Sequence, residues 1–240
     1  MHTNILAIGG GGYCGPIGGP SPIIRYFLDL TKKKYPKVCF LPTAAADSHE
    51  SVSAFIDAMN RMSAHANYLQ LFHPPTSDIE SFVMDFDAVY VSGGHTKNML
   101  ALWREWSLDK ILIKAWRKGI VMGGASAGAI CWFEQGCTDS ICEGFDPLLN
   151  GLGILKGSFG PHYGHQRGRW RTEYLEMVRT GKLAAGYGVT DRAALHYVDG
   201  KLAHIIAESE DAAVFRIKRE KNGEVSECPQ KLERIGEPAR

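Results

Sequence analysis

Short apolar runs, most of them closed by glycine or proline, recur along the first half of this chain, and stretches with helical spacing separate most of them. No other feature narrows the fold as much. The runs are "NILAIGG" (4–10), "KVCFLPTA" (37–44, closed at Pro42), "ANYLQLF" (66–72), "DAVYVSGG" (87–94) and "IVMGGA" (120–125). Between them, "SPIIRYFLDLTKKK" (21–34), "HESVSAFIDAMNRMSA" (49–64), "NMLALWREW" (98–106) and "LDKILIKAWRKG" (108–119) read as helices, with Ser21 and Pro22 as a start signal and Gly119 as a stop. Strand alternating with helix predicts the α/β class: a mostly parallel sheet flanked by helices on both faces. Ligands of such sheets bind beyond the carboxyl ends of the strands. The glycine clusters fall there, at Gly9 to Gly12, Gly93-Gly94 and Gly123-Gly124. After about residue 185, "AAGYGVTD", "ALHYVDG", "KLAHIIAE" and "AAVFRIKR" read as short strands with turn signals. A single α/β domain over residues 1–240 is expected, with a polar, partly mobile tail from about residue 219.

Charge and cysteine content exclude several function classes. Formal net charge is +1, from 27 basic and 26 acidic residues, which favours neither a nucleic acid nor a membrane surface as partner. No apolar run is long enough to span a bilayer. The start, "MHTNILAIGGGG", lacks a basic region followed by a long apolar stretch, which argues against a secretory signal. Cys14, Cys39, Cys131, Cys137, Cys142 and Cys228 are scattered without C-x-x-C pairs, so neither a disulfide framework nor a metal site is indicated and a cytoplasmic location is expected.

One stretch asks for a chemical explanation. "VMGGASAGAI" (121–130) wedges Ser126 among residues with almost no side chain. A serine presented as a nucleophile sits on a strained strand-to-helix turn, where only small neighbours fit. Gly124 and Gly128 occupy the glycine positions of G-x-S-x-G, "IVM" supplies the strand, and "AGAICWF" starts the helix, whose positive dipole end would lie near Ser126. The N–H of Ala127 can help to bind an oxyanion, and "SGGHTKNML" offers a second donor at Gly94. As a bland alternative, that segment is an ordinary turn with Thr96 as helix cap. A nucleophilic serine needs a base. His162 and His165 in "GSFGPHYGHQRGRW" are the candidates, His162 stiffened by the preceding proline and His165 also suited to substrate binding. The carboxylate that fixes the imidazole tautomer is Asp139 or Asp191, and spacing does not choose between them.

Taken together, "YVSGGHTKNMLALW", "GGASAGAICWF" and "GPHYGH", in this order, resemble the S51 serine peptidases, which include the aspartyl dipeptidases (peptidase E) and the cyanophycinases. The resemblance runs from about residue 4 to 217. It implies a class I glutamine-amidotransferase-like fold with Ser126 on its nucleophile elbow, His162 as base, and the N–H groups of Gly94 and Ala127 as the oxyanion hole. For the acid, Asp139 matches the place of an aspartate proposed in the dipeptidases, and Asp191 a position where relatives carry a glutamate. Asp191 is favoured because a strand end fixes a side chain better than a loop does. The peptidase E branch prefers an N-terminal aspartate in its substrate, held by an arginine after the histidine. Arg167, Arg169 and Arg171 lie in that region, and His95 and His165 join them as substrate-binding candidates.

The expected function is therefore a serine-type peptidase acting on short peptides through an acyl-enzyme, with dipeptides bearing an N-terminal aspartate among its expected substrates. It would need no metal or organic cofactor. The expected partner is a small peptide, with no nucleic acid or membrane and with room for a homodimer. Two rival readings share the elbow: an esterase or amidase of the α/β-hydrolase type, and a binding module that keeps the shape without catalysis.

Overall fold

Two strands buried along their whole length mark the centre of the molecule: β4 (Ala88–Val91) and β5 (Val121–Ala125). The computed structural model describes residues 2–13, 15, 19–141, 143–164 and 168–236. β5 lies parallel to β4 on one side and to β1 (Asn4–Ile8) on the other. Beyond β4 come β2 (Lys37–Leu41) and β3 (His65–Tyr68), also parallel. On the other side the pairing turns antiparallel through β10 (Ala193–Val198) and β11 (Lys201–Ala207), and β14 (Glu233–Arg234) completes an eight-stranded sheet.

Side chains alternate across this sheet with period two. Leu6 and Ile8 face a layer made by α1 (Pro22–Asp29) and α2 (His49–Arg61), packed through Ile23, Ile24, Phe27, Phe55 and Met59. Ile5 and Ala7 face the opposite layer, where α3 (Ile79–Met84), α4 (Thr96–Glu105) and α5 (Leu108–Arg117) bury Val83, Met99, Trp103 and Leu112. The chain steps outward from β1 to β3 over one face and returns to β5 over the other. Right-handed crossovers require that change of face when the direction of travel reverses. Helix starts follow the sequence signals. Ser21 accepts the Ile24 N–H at 3.3 Å, and Ser48 caps α2 in the same way. The turn α3 was not legible as a helix.

A second sheet departs from the single-sheet expectation. It comprises β6 (Phe133–Thr138), β7 (Asp146–Leu148), β8 (Leu155–Gly160), β9 (Gly186–Val189), β12 (Val214–Arg219) and β13 (Val225–Pro229), in the order β13-β12-β9-β8-β6-β7. β6, β8 and β9 run parallel, and α7 (Trp170–Arg179) packs on this sheet through Tyr174 and Val178. Phe133, Leu155 and Phe159 join the same core as Ala7, Met122 and Leu195, so the two sheets share a buried layer. The helix expected over "AGAICWF" lasts one turn, α6 (Ala127–Ile130). Trp132 and Phe133 are fully buried, and the carbonyls of Cys131 and Trp132 accept from Leu152 and Leu155, not from a further helical turn.

Up to residue 236 the tail is also more ordered than its polarity suggests. Residues 225–229 pair antiparallel with β12, and Glu233–Arg234 pairs with β11. Edge-strand hydrogen bonds are made by the main chain and need few apolar side chains. Among the described residues no helix is long and apolar enough to cross a membrane.

His196, in the middle of β10, is buried and neutral in character. Its Nδ1 is 2.8 Å from the Tyr26 hydroxyl, its Nε2 is 3.0 Å from Asn4 Oδ1, and its ring stacks on His204. Burial first, then the neighbouring His204, lowers its pKa from 6.5 to about 4. The unfolded chain therefore takes up the proton before the folded one does. This contribution to stability is complete above pH 6.5 and is lost as pH falls towards 4. Thermal melts should show a smaller drop in Tm between neutral pH and about pH 4 for His196→Gln than for the parent. Equal drops would remove His196 from the account.

Candidate active site

Three consecutive carbonyls at the end of β1 organise the site. Ile8 O accepts from Ser126 N–H at 3.1 Å, Gly9 O from His162 N–H at 3.1 Å, and Gly10 O from Arg192 N–H at 2.9 Å. Ser126 lies where the chain leaves β5 for β6, and Asp191 where it leaves β9 for β10, so both occupy crossings between the two sheets. His162 follows β8. One short segment thus ties together three connections that are far apart in sequence.

Ser126 has φ 54° and ψ −114°, a conformation that costs a non-glycine residue about 1–3 kcal/mol and persists only when its surroundings fix it. The reason for its small neighbours is steric. A Cβ at Gly124 would sit 2.4 Å from the Gly128 carbonyl oxygen, and one at Gly128 would sit 2.3 Å from the Val91 carbonyl oxygen. The elbow folds directly back onto β5 and against β4, leaving no room for side chains. Because α6 is one turn long, little macrodipole can build up behind Ser126. What remains is the local set of unbonded amides at the turn.

His162 is also held at positive φ, 51°. Its Nε2 is 2.9 Å from Ser126 Oγ and its Nδ1 is 2.5 Å from Asp191 Oδ1. A carboxylate only accepts, so Nδ1 carries the proton, and Nε2 of the neutral ring is left to accept from the serine hydroxyl. The His162 side chain is 13% exposed and Asp191 32%. The Trp170 ring, 5.3 Å away, covers the imidazole. Asp139 is exposed just after β6, and both ring nitrogens of His162 are engaged by Ser126 and Asp191.

The cleft in front of Ser126 has a volume of about 550 Å3 and is lined by Gly10 to Tyr13, Tyr90, Gly93, Gly94, His162, Asp191 and Arg192, among others. Among the described residues, the N–H groups of Gly94 and Ala127 donate to no protein acceptor, nor do those of Gly10, Gly11 and Gly12. The Gly93-Gly94 loop rests on the turn after β2, with His95 N–H bonded to Ala44 O at 2.7 Å. His95, not Thr96, is the N-cap of α4. Its Nδ1 accepts from Asn98 N–H at 3.4 Å, and the residue is exposed.

Two of the three arginines expected near the substrate are held in ion pairs. Arg169 pairs with Glu173 one turn along, and Arg171 makes a two-point ion pair with Glu227 of β13. Both guanidinium groups are therefore already matched to carboxylates. His165 and Arg167 lie outside the described residues. Arg192 was not singled out in the sequence, yet it lines the cleft and pairs with the buried Glu208 at 2.8 Å. Its position directly after Asp191 at a strand end was the available signal. Among the described residues, no group of three or more His, Cys, Asp or Glu is placed to hold a metal ion. The arrangement is suited to moving a proton from a serine hydroxyl to an imidazole while amides receive negative charge.

Comparison with known proteins gives a consistent result. The family model described as "Peptidase family S51" matches residues 5–205. Over 234 residues the chain is 41% identical to a Bacillus subtilis (strain 168) protein named "Uncharacterized peptidase YgaJ", covering 97% of this chain and 99% of that protein. The fold of this chain is similar to that of a putative peptidase E protein from Listeria monocytogenes EGD-e, with TM-score 0.63 and 17% identity, over 87% of this chain and 100% of that one. A peptidase from an acI-B1 Actinobacterium is similar with TM-score 0.71 and 16% identity, over 97% and 95% of the two chains.

Gly10 is the sharpest steric test of this geometry. A Cβ there would lie 2.1 Å from Asp191 Oδ1 and 2.4 Å from His162 Cε1. Gly10→Ala should slow labelling of Ser126 by a fluorophosphonate about 100-fold, the scale of loss expected from a displacement near 1 Å. Far-UV circular dichroism should be unchanged. Labelling at the parental rate would mean that the loop yields without disturbing the pair.

Proposed function

The chain belongs to peptidase family S51, and we propose that it hydrolyses short peptides as a serine-type enzyme with Ser126 as nucleophile, His162 as general base and Asp191 as the orienting acid. The observation that carries this reading is the continuous hydrogen-bonded chain Ser126 Oγ–His162 Nε2, His162 Nδ1–Asp191 Oδ1, with distances of 2.9 and 2.5 Å. Family membership favours a peptidase over the esterase and binding-module readings that the elbow alone left open.

The geometry supports a reaction through an acyl-enzyme. As Ser126 Oγ attacks the scissile carbonyl, its proton passes to His162 Nε2. The imidazolium is stabilised by the Asp191 carboxylate, which keeps the other ring proton on Nδ1. Negative charge develops on the former carbonyl oxygen, and the amides of Gly94 and Ala127 are the donors to receive it. His162 then returns its proton to the leaving amine, and the C–N bond breaks to give an acyl-serine. Water, deprotonated by the same imidazole, attacks the ester and restores Ser126.

Asp191 is preferred to Asp139 because it already occupies Nδ1. For the substrate, a preference for an N-terminal aspartate would act through Arg192 and the glycine-loop amides: Arg169, Arg171 and Arg192 are all paired with glutamates, and Arg192 is the one that lines the cleft in front of Ser126. A dipeptide library varied at the first residue tests both parts. The parent should turn over acidic-first dipeptides fastest, Ser126→Ala should lower kcat by at least about 10^4-fold, and Asp191→Asn by about 10^4-fold. Asp139→Asn should stay within about threefold of the parent. Parental turnover by Ser126→Ala would end the serine reading. A collapse confined to Asp139→Asn would move the acid there.

A further inference from the structure

The C-terminal hairpin reaches back to the catalytic histidine. Tyr163, the residue after His162, is almost fully buried, its ring against Tyr174 and Phe215 at centroid distances of 5.9 and 5.6 Å. Its hydroxyl lies 2.8 Å from Glu227 Oε1. Glu227 belongs to β13, beyond the residue-205 end of the family match, and is also paired with Arg171 from the first turn of α7. Burial, and next the bond to Glu227, push the Tyr163 phenol well above its ordinary pKa, so the hydroxyl remains a donor.

His162 needs such an anchor. Its φ of 51° is unfavourable for a residue with a Cβ, and such conformations hold only when neighbours over-determine them. Main-chain bonds supply part of the constraint: His162 N–H to Gly9 O, and Tyr163 N–H to Val189 O at 3.0 Å. A cavity of about 320 Å3 also borders His162, Tyr163, Arg171, Phe215 and Glu227. On the side that faces a cavity, a directional bond adds to the hold that packing gives the ring elsewhere.

We propose that Glu227 is a positioning residue for His162, acting through the Tyr163 hydroxyl, so that the hairpin outside the family match helps to set the aim of the imidazole. This rests on the reading of Ser126 and His162 as nucleophile and base.

Three variants and a control test it. Tyr163→Phe keeps the ring and removes only the hydroxyl. Glu227→Ala removes the acceptor. Glu227→Gln keeps an oxygen that can accept from Tyr163 while losing the charge. Tyr163→Phe and Glu227→Ala should each lower kcat for a dipeptide about tenfold with KM unchanged, and Glu227→Gln should recover most of the loss. Glu176→Gln, which breaks the exposed Glu176–Arg179 pair on the same helix, should match the parent. The proton shared by His162 Nδ1 and Asp191 gives a readout that does not need turnover. Its downfield NMR resonance should broaden or shift in Tyr163→Phe and Glu227→Ala but not in Glu176→Gln. Parental kcat and an unmoved resonance in Tyr163→Phe and Glu227→Ala would overturn the proposal, as would a loss of activity no greater than the loss of folded protein. If the parent itself hydrolyses no peptide, the catalytic reading fails, and the resonance still decides whether the hairpin positions the ring.

Discussion

The bonds from Ile8, Gly9 and Gly10 to Ser126, His162 and Arg192 are the constraint on which the rest of the architecture depends. Each joins an element of one sheet to a connection leaving either sheet at the same end. Ser126 hangs from the first sheet, His162 follows a strand of the second, and Asp191 sits where the chain returns. Those contacts tie three connections, distant in sequence, to one short segment. With them, two residues at positive φ can be held facing one another across a hydrogen bond of 2.9 Å.

The glycine-ended runs were legible because a buried parallel strand has few ways to appear in sequence. "DAVYVSGG" and "IVMGGA" contain β4 and β5, and Ser126 follows β5 directly. The second sheet was hidden for the opposite reason. "FEQGCT" and "LKGSFG" mix polar residues and glycine with single aromatics, because Phe133 and Phe159 do most of the burying while the main chain does the pairing. The short α6 was equally opaque. "AGAICWF" has good helix formers, and only the pull of Trp132 and Phe133 into the shared core ends the helix after one turn. Tertiary burial overrode local propensity there.

Charge placement was the least readable property. Arg169 and Arg171 look alike in "RGRWR", yet one finds its partner within its own helix and the other on a strand more than fifty residues away. Arg192 reads as an ordinary turn residue, while the buried Glu208 that pairs with it also accepts from the Ser21 hydroxyl and the Ile23 N–H at the start of α1. A carboxylate so enclosed must have its acceptors filled, and only the folded chain supplies those donors.

The anchoring of the site by peptide carbonyls has a bearing on descent. Every amino acid carries that group, so a lineage can exchange most of its side chains and still suspend the same three connections from the same short segment. What natural selection must guard is narrower: the missing methyl at position 10 and the bareness of the bend around the serine. Divergence of this family is thus expected to be permissive in its decoration and strict in its empty space.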